Sequence, residues 1–101
     1  MALQIVTKKR FINNMKKITS YLKLEWNKTV AVNFTEIVDN KIILLASQPN
    51  IGIDTSLINV KSVLAGKGYQ NRIYYRIEKN KLIIINIKDI RKNPKRNWYN
   101  R

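Results

Sequence analysis

The stretch Arg72-Ile-Tyr-Tyr-Arg-Ile77 alternates strictly, with Ile73, Tyr75 and Ile77 on one side and Arg72, Tyr74 and Arg76 on the other. That is the period of a strand with one covered and one polar face. Lys79 and Asn80 follow as a hairpin turn, because Asn tolerates the left-handed backbone such turns require, and Lys81 to Asp89 returns alongside. The run Leu82 to Ile85 is apolar on both faces, so the returning strand reads as a central one. A chain carrying this hairpin must find apolar cover for it elsewhere.

The first half supplies that cover. Phe11, Met15, Ile18, Leu22 and Trp26 recur every three or four residues, the spacing of an amphipathic helix from about Lys9 to Leu24, with Lys16, Lys17 and Lys23 on its wet side. Asn27 is an N-cap for a second helix, whose apolar face runs through Val30, Phe34, Ile37 or Val38, Ile42 and Leu45 until Gln48 and Pro49 stop it. So short a connection predicts an antiparallel helical hairpin. Leu3, Ile5 and Val6 form a strand candidate ahead of it. After Pro49, residues Asn50, Gly52 and Asp54 read as a loop, a strand spans about Asn59 to Leu64, and Gly66 and Gly68 mark a turn. The expected architecture is α+β: an N-terminal strand, an antiparallel two-helix hairpin, then a three-stranded antiparallel meander. It forms one domain over residues 1–101, with 90–101 a basic tail.

At 101 residues one core is the default and needs no staple. With neither Cys nor His, zinc sites of those ligands, Ser-His or Cys-His nucleophile pairs and thiol redox chemistry are excluded. No metal or other cofactor is expected. The apolar start is too short for a signal peptide, and Ile42 to Ala46 and Leu82 to Ile85 are far below the ~20 residues that span a bilayer. The expectation is a soluble cytoplasmic protein with no membrane association. The net charge of +14 calls for a polyanionic partner. Sixteen Ile and thirteen Asn suggest an AT-rich genome that inflates Lys, but that bias does not explain where the charge sits. Residues 1–57 hold eight basic and four acidic side chains, net +4, whereas 58–101 hold twelve and two, net +10.

The meander and tail therefore carry the candidate site. Lys61 lies on its first strand, Arg72 and Arg76 on the next, and Lys88 and Arg91 at the end of the last, with Tyr74, Trp98 and Tyr99 interleaved and Lys67, Lys92, Lys95 and Arg96 nearby. Basic side chains mixed with rings suit single-stranded RNA, phosphates on the cations and bases on the rings. A solvated sheet face and a frayed basic end are the bland alternatives. Cleavage by 2′-hydroxyl attack needs a base, charge stabilisation and an acid. Without His, the base would be a Tyr, a carboxylate or a Lys such as Lys61 or Lys67 pushed toward neutrality by surrounding cations; Arg72 and Arg91 would be the stabilisers and Tyr99 the available acid. The carboxylates Glu25, Glu36, Asp39, Asp54, Glu78 and Asp89 form no close pair, which argues against a two-metal nuclease.

Trp26, the Phe34/Ile37 helix face, Leu45, Pro49, Gly52, Val60-Lys61, Arg72-Ile-Tyr-Tyr-Arg76-Ile and Ile87-Lys-Asp-Ile-Arg91-Lys-Asn-Pro94 together resemble the RelE/ParE superfamily of type II toxin-antitoxin toxins. The resemblance runs from about Ile5 to Pro94. It implies a microbial RNase-like α+β fold and an acidic antitoxin that wraps the toxin. It also implies one of two targets: the ribosome and its mRNA, as in RelE-type endonucleases, or DNA gyrase, as in ParE-type inhibitors. In the first branch Arg72 and Arg91 match the arginines that stabilise the phosphate, Tyr99 lies in the region of the acid, Lys61 sits where a basic residue is expected and Lys67 is a looser match. Several members use a His that this chain lacks, so a His-dependent scheme cannot apply. The expectation is a toxin that cleaves mRNA on the ribosome without metal and inhibits translation. The alternatives are a gyrase inhibitor without nuclease activity and a non-catalytic RNA-binding module.

Overall fold

The computed structural model describes residues 2–89. Helix α1 (Lys9–Glu25) and helix α2 (Lys28–Ser47) pack against each other as a hairpin. The Asn27 side-chain oxygen accepts a hydrogen bond from the Val30 N–H at 2.9 Å, so one of the unsatisfied donors of the first turn has its partner. The core face of α2 is Ala31, Phe34, Val38, Ile42, Leu45 and Ala46, all buried. Phe11 is buried on α1, and Met15, Ile18 and Leu22 pack against the same core. Trp26 departs from the expected stripe and is 70% exposed. The helix stops at Glu25 and Trp26 leaves helical geometry (φ −122°, ψ −92°), so a spacing of four no longer brings it to that face.

Strands β1 (Gln4–Thr7), β2 (Ile53–Asp54), β3 (Lys61–Leu64), β4 (Asn71–Glu78) and β5 (Lys81–Asp89) form one sheet in the order β1-β5-β4-β3-β2. The expected meander is β3-β4-β5, antiparallel throughout. The sheet extends beyond it on both sides. β1 docks parallel to β5 in the register Gln4↔Lys81 to Thr7↔Ile84, which gives β5 the two neighbours its apolar run demands. The two-residue β2 adds an antiparallel edge to β3. β3 begins at Lys61 rather than Asn59, because Asn59 is left-handed (φ 64°) and cannot extend the strand. In the β4-β5 turn the left-handed residue is Lys79 (φ 57°), not Asn80. Tyr74 faces Asn86 and Tyr75 faces Ile84, so Ile85 is an extra residue, a bulge that shifts the register midway along β5.

Alternation holds along most of β4. Ile73 and Tyr75 enter the core with Phe34, Val38, Leu45, Leu82, Ile84 and Ile87. Tyr75 also spans from the sheet to the loop after α2: its hydroxyl donates to the Pro49 carbonyl at 2.8 Å and accepts from the Gly52 N–H at 3.0 Å. A Cβ at Gly52 would meet that hydroxyl and come within 2.9 Å of the Ser62 carbonyl oxygen, so only glycine fits the joint. Among the described residues no helix is long and apolar enough to cross a membrane.

Candidate nucleic-acid interface

Arg72 and Lys88 are register partners on β4 and β5, and Arg72 also faces Leu64 of β3. Two cations directly opposite each other across an antiparallel ladder repel, so the arrangement weakens the sheet unless an anion visits it. Among the described residues neither forms an ion pair. Arg72 is instead oriented by a neutral partner: its Nε donates to the Ser62 hydroxyl at 3.0 Å and its Nη2 to the Ser62 carbonyl at 3.4 Å. Ser62 is 3% exposed and therefore a fixed anchor. The guanidinium loses part of its rotamer freedom before any ligand arrives. Ser62 belongs to no motif in the sequence. The signal that could have found it is the alternation of β3, which puts Ser62 opposite Tyr74 and on the Arg72 side.

Lys61 does not join them. It is in register with Tyr75, whose ring is in the core, so alternation turns it to the other face of the sheet from Arg72. Its ammonium donates to Asp54 Oδ1 at 2.9 Å. That hydrogen bond is the largest influence and, aided by the Asp54 charge, holds the Lys61 pKa above the ordinary lysine value against the opposing desolvation. The expected lowering toward neutrality is thus reversed, because the nearest charge is a carboxylate across the β2-β3 pair and not another cation. Beside Lys61 an open cleft of about 490 Å³ is lined by Asp54, Thr55, Leu57, Ile58, Asn59 and Ile77.

Of the other expected residues, Lys67 is exposed in the β3-β4 turn next to left-handed Gly68 (φ 85°). Arg76 is on the Arg72 side and pairs with Glu78 at 3.5 Å. Tyr74, expected to offer a ring for stacking, is 2% exposed and presents no face to a base. Arg91, Lys92, Lys95, Arg96, Trp98 and Tyr99 lie outside the described residues. Tyr75 lies in the core, where burial pushes its phenol pKa above the usual value while the Gly52 N–H and Lys61 pull it back. Its role is to hold the Pro49–Gly52 loop.

A helical hairpin laid on a five-stranded sheet is a fold with solved counterparts. One belongs to a chromosomal ParDE toxin-antitoxin system from P. aeruginosa: it superposes with a TM-score of 0.77 at 9% identity, covering 87% of this chain and 96% of that one. At that identity the likeness is one of fold. No curated protein matches the sequence. The family model for the ParE toxin of the type II toxin-antitoxin system parDE matches residues 5–94, and the chain belongs to that family of toxins.

Proposed function

We propose that this toxin acts on DNA gyrase by non-covalent occupation, without cutting RNA, and that an acidic antitoxin neutralises it. The observation that carries the non-nucleolytic part is Lys61, held protonated by Asp54 and turned away from Arg72, so that the expected base is neither neutral nor beside the expected phosphate ligand. Membership of the ParE family supports gyrase as the target. The charge of +14 and the fold likeness to a chain of a ParDE system support an acidic protein partner in the cytoplasm. The test is induction of the toxin in cells, with chromosome breaks and the DNA-damage response scored against mRNA 5′ ends mapped by primer extension. DNA damage with unchanged 5′ ends is the expected outcome. New 5′ ends at ribosome-protected positions, without DNA damage, would refute it.

One observation favours a second reading, cleavage of mRNA on the ribosome. Arg72 fixed by Ser62 and flanked by Lys88 would suit a phosphorane as well as a resting phosphate. Proton transfer would then fall to Tyr99, with Arg91 completing the charge. Loss of the 5′ ends in Arg72→Ala would support it; 5′ ends that persist would not.

A further inference from the structure

Arg10, Asn14 and Lys17 lie at positions i, i+4 and i+7 of α1 and so form one stripe of the helix. Asn14 shows where that stripe lies. Its side-chain amide donates to the side-chain oxygen of Asn86 and, at 3.4 Å, to the carbonyl of Ile87 on β5. Arg10 and Lys17 stand one turn to either side, about 6 and 4.5 Å along the helix axis. Lys88 is two residues beyond Asn86, about 7 Å along β5, and Arg72 is its register partner about 5 Å across the ladder. The fold thus collects onto one end of the sheet two cations from the less basic half of the chain and two from the more basic half. Arg10 and Lys17 are exposed, Arg72 and Lys88 half-buried. Asp89, the neighbouring carboxylate, is already engaged.

We infer that Arg10, Lys17, Lys88 and Arg72 form a surface that binds the phosphate backbone of duplex DNA directly. The patch spans roughly 15 Å, over which a duplex presents about nine phosphate charges. Its cations are carried on a helix and two strands that are pinned to one another, so the spacing of their backbone positions is set before binding. Tyr21, one turn beyond Lys17, is the single exposed ring on the stripe among the described residues, since Tyr74 is buried and Tyr69 packs on Phe34. One ring does not make the stacking platform that single strands use. The surface therefore reads charge and shape, not bases. The inference goes beyond the gyrase reading and stands without it, because it concerns contact with DNA itself.

The test is titration of the full chain with a 20-base-pair DNA duplex, without gyrase, across a range of salt concentrations. In Arg10→Gln/Lys17→Gln the slope of log affinity against log salt should shrink by about 1.8, close to 0.9 for each phosphate no longer neutralised. Lys9→Gln/Lys16→Gln removes the same charge from the same helix one residue round, and its slope should match the parent. Lys88→Gln, on a different element, should reduce the slope by about 0.9. Equal reductions in the two double variants would reduce the effect to net charge and overturn the proposal, as would tighter binding to single-stranded RNA than to the duplex. Gyrase supercoiling assays, run separately, test the functional reading and not this one.

Discussion

The joint between Tyr75, Pro49 and Gly52 offers the sharpest test of how this fold holds its loops. Tyr75→Phe keeps the buried ring and removes one oxygen. The Pro49 carbonyl loses a donor at 2.8 Å and the Gly52 N–H loses its acceptor at 3.0 Å. Each group left without a partner in a partly buried position costs about 1 kcal/mol or more, so a loss of about 2 kcal/mol is expected. In a domain of this size that lowers Tm by about 10 °C. Gly52→Ala attacks the same joint from the other side, because the new Cβ runs into the Tyr75 hydroxyl. The double variant should fall short of the sum of the singles by about 1 kcal/mol, since the phenol can be displaced only once. Urea and thermal unfolding followed by far-UV circular dichroism would read all three. A Tyr75→Phe loss below about 0.5 kcal/mol, or strict additivity, would refute the joint. The phenol adds a pH signature. Its folded pKa lies above the ordinary tyrosine value, so the stabilisation is complete below that value and is lost as pH rises through the folded one. Alkaline destabilisation starting near pH 10 should accordingly be weaker in Tyr75→Phe.

Asn27→Ala removes the cap of α2 and should cost about 1 kcal/mol, seen as a lower urea midpoint with an unchanged slope. Lys88→Gln should stabilise the fold by a few tenths of a kcal/mol, up to about 1, by relieving the repulsion with Arg72, while weakening toxicity on induction; lower stability would argue against that strain. Asp54→Asn should bring the Lys61 pKa back toward the ordinary value, as followed by NMR of the side-chain ammonium, and should leave Tm nearly unchanged because the pair faces solvent.

What could be read from the chain was what short stretches decide for themselves. Asn27 caps its helix through a residue three positions on, and Phe34, Val38, Ile42 and Leu45 share a face by spacing alone. Arg72 and Arg76 share a side because a strand has period two. The pairings that remained hidden join distant parts of the chain. Nothing near Ile5 says that it lies beside Leu82, and nothing in the Tyr74-Tyr75 pair says which hydroxyl will reach the Pro49 loop. The charge environment of Lys61 is hidden in the sequence for the same reason. The neighbouring cations along the chain matter less than one carboxylate, Asp54, that the β2-β3 pair places against it. Asn14, unremarked in the first helix, turns out to key α1 to β5.

The parallel seating of β1 on β5 has a consequence for when this toxin comes into being. Residues 4–7 leave the ribosome before 81–84 and find their sheet partner only when those have followed, so the first strand waits through more than seventy intervening residues. Pairings that distant close late in folding. A nascent chain that ends before β5 leaves β1 without its seat, Arg72 without its facing lysine and Asn14 without its anchor. The chain therefore cannot assemble that charged end of the sheet piecemeal during synthesis.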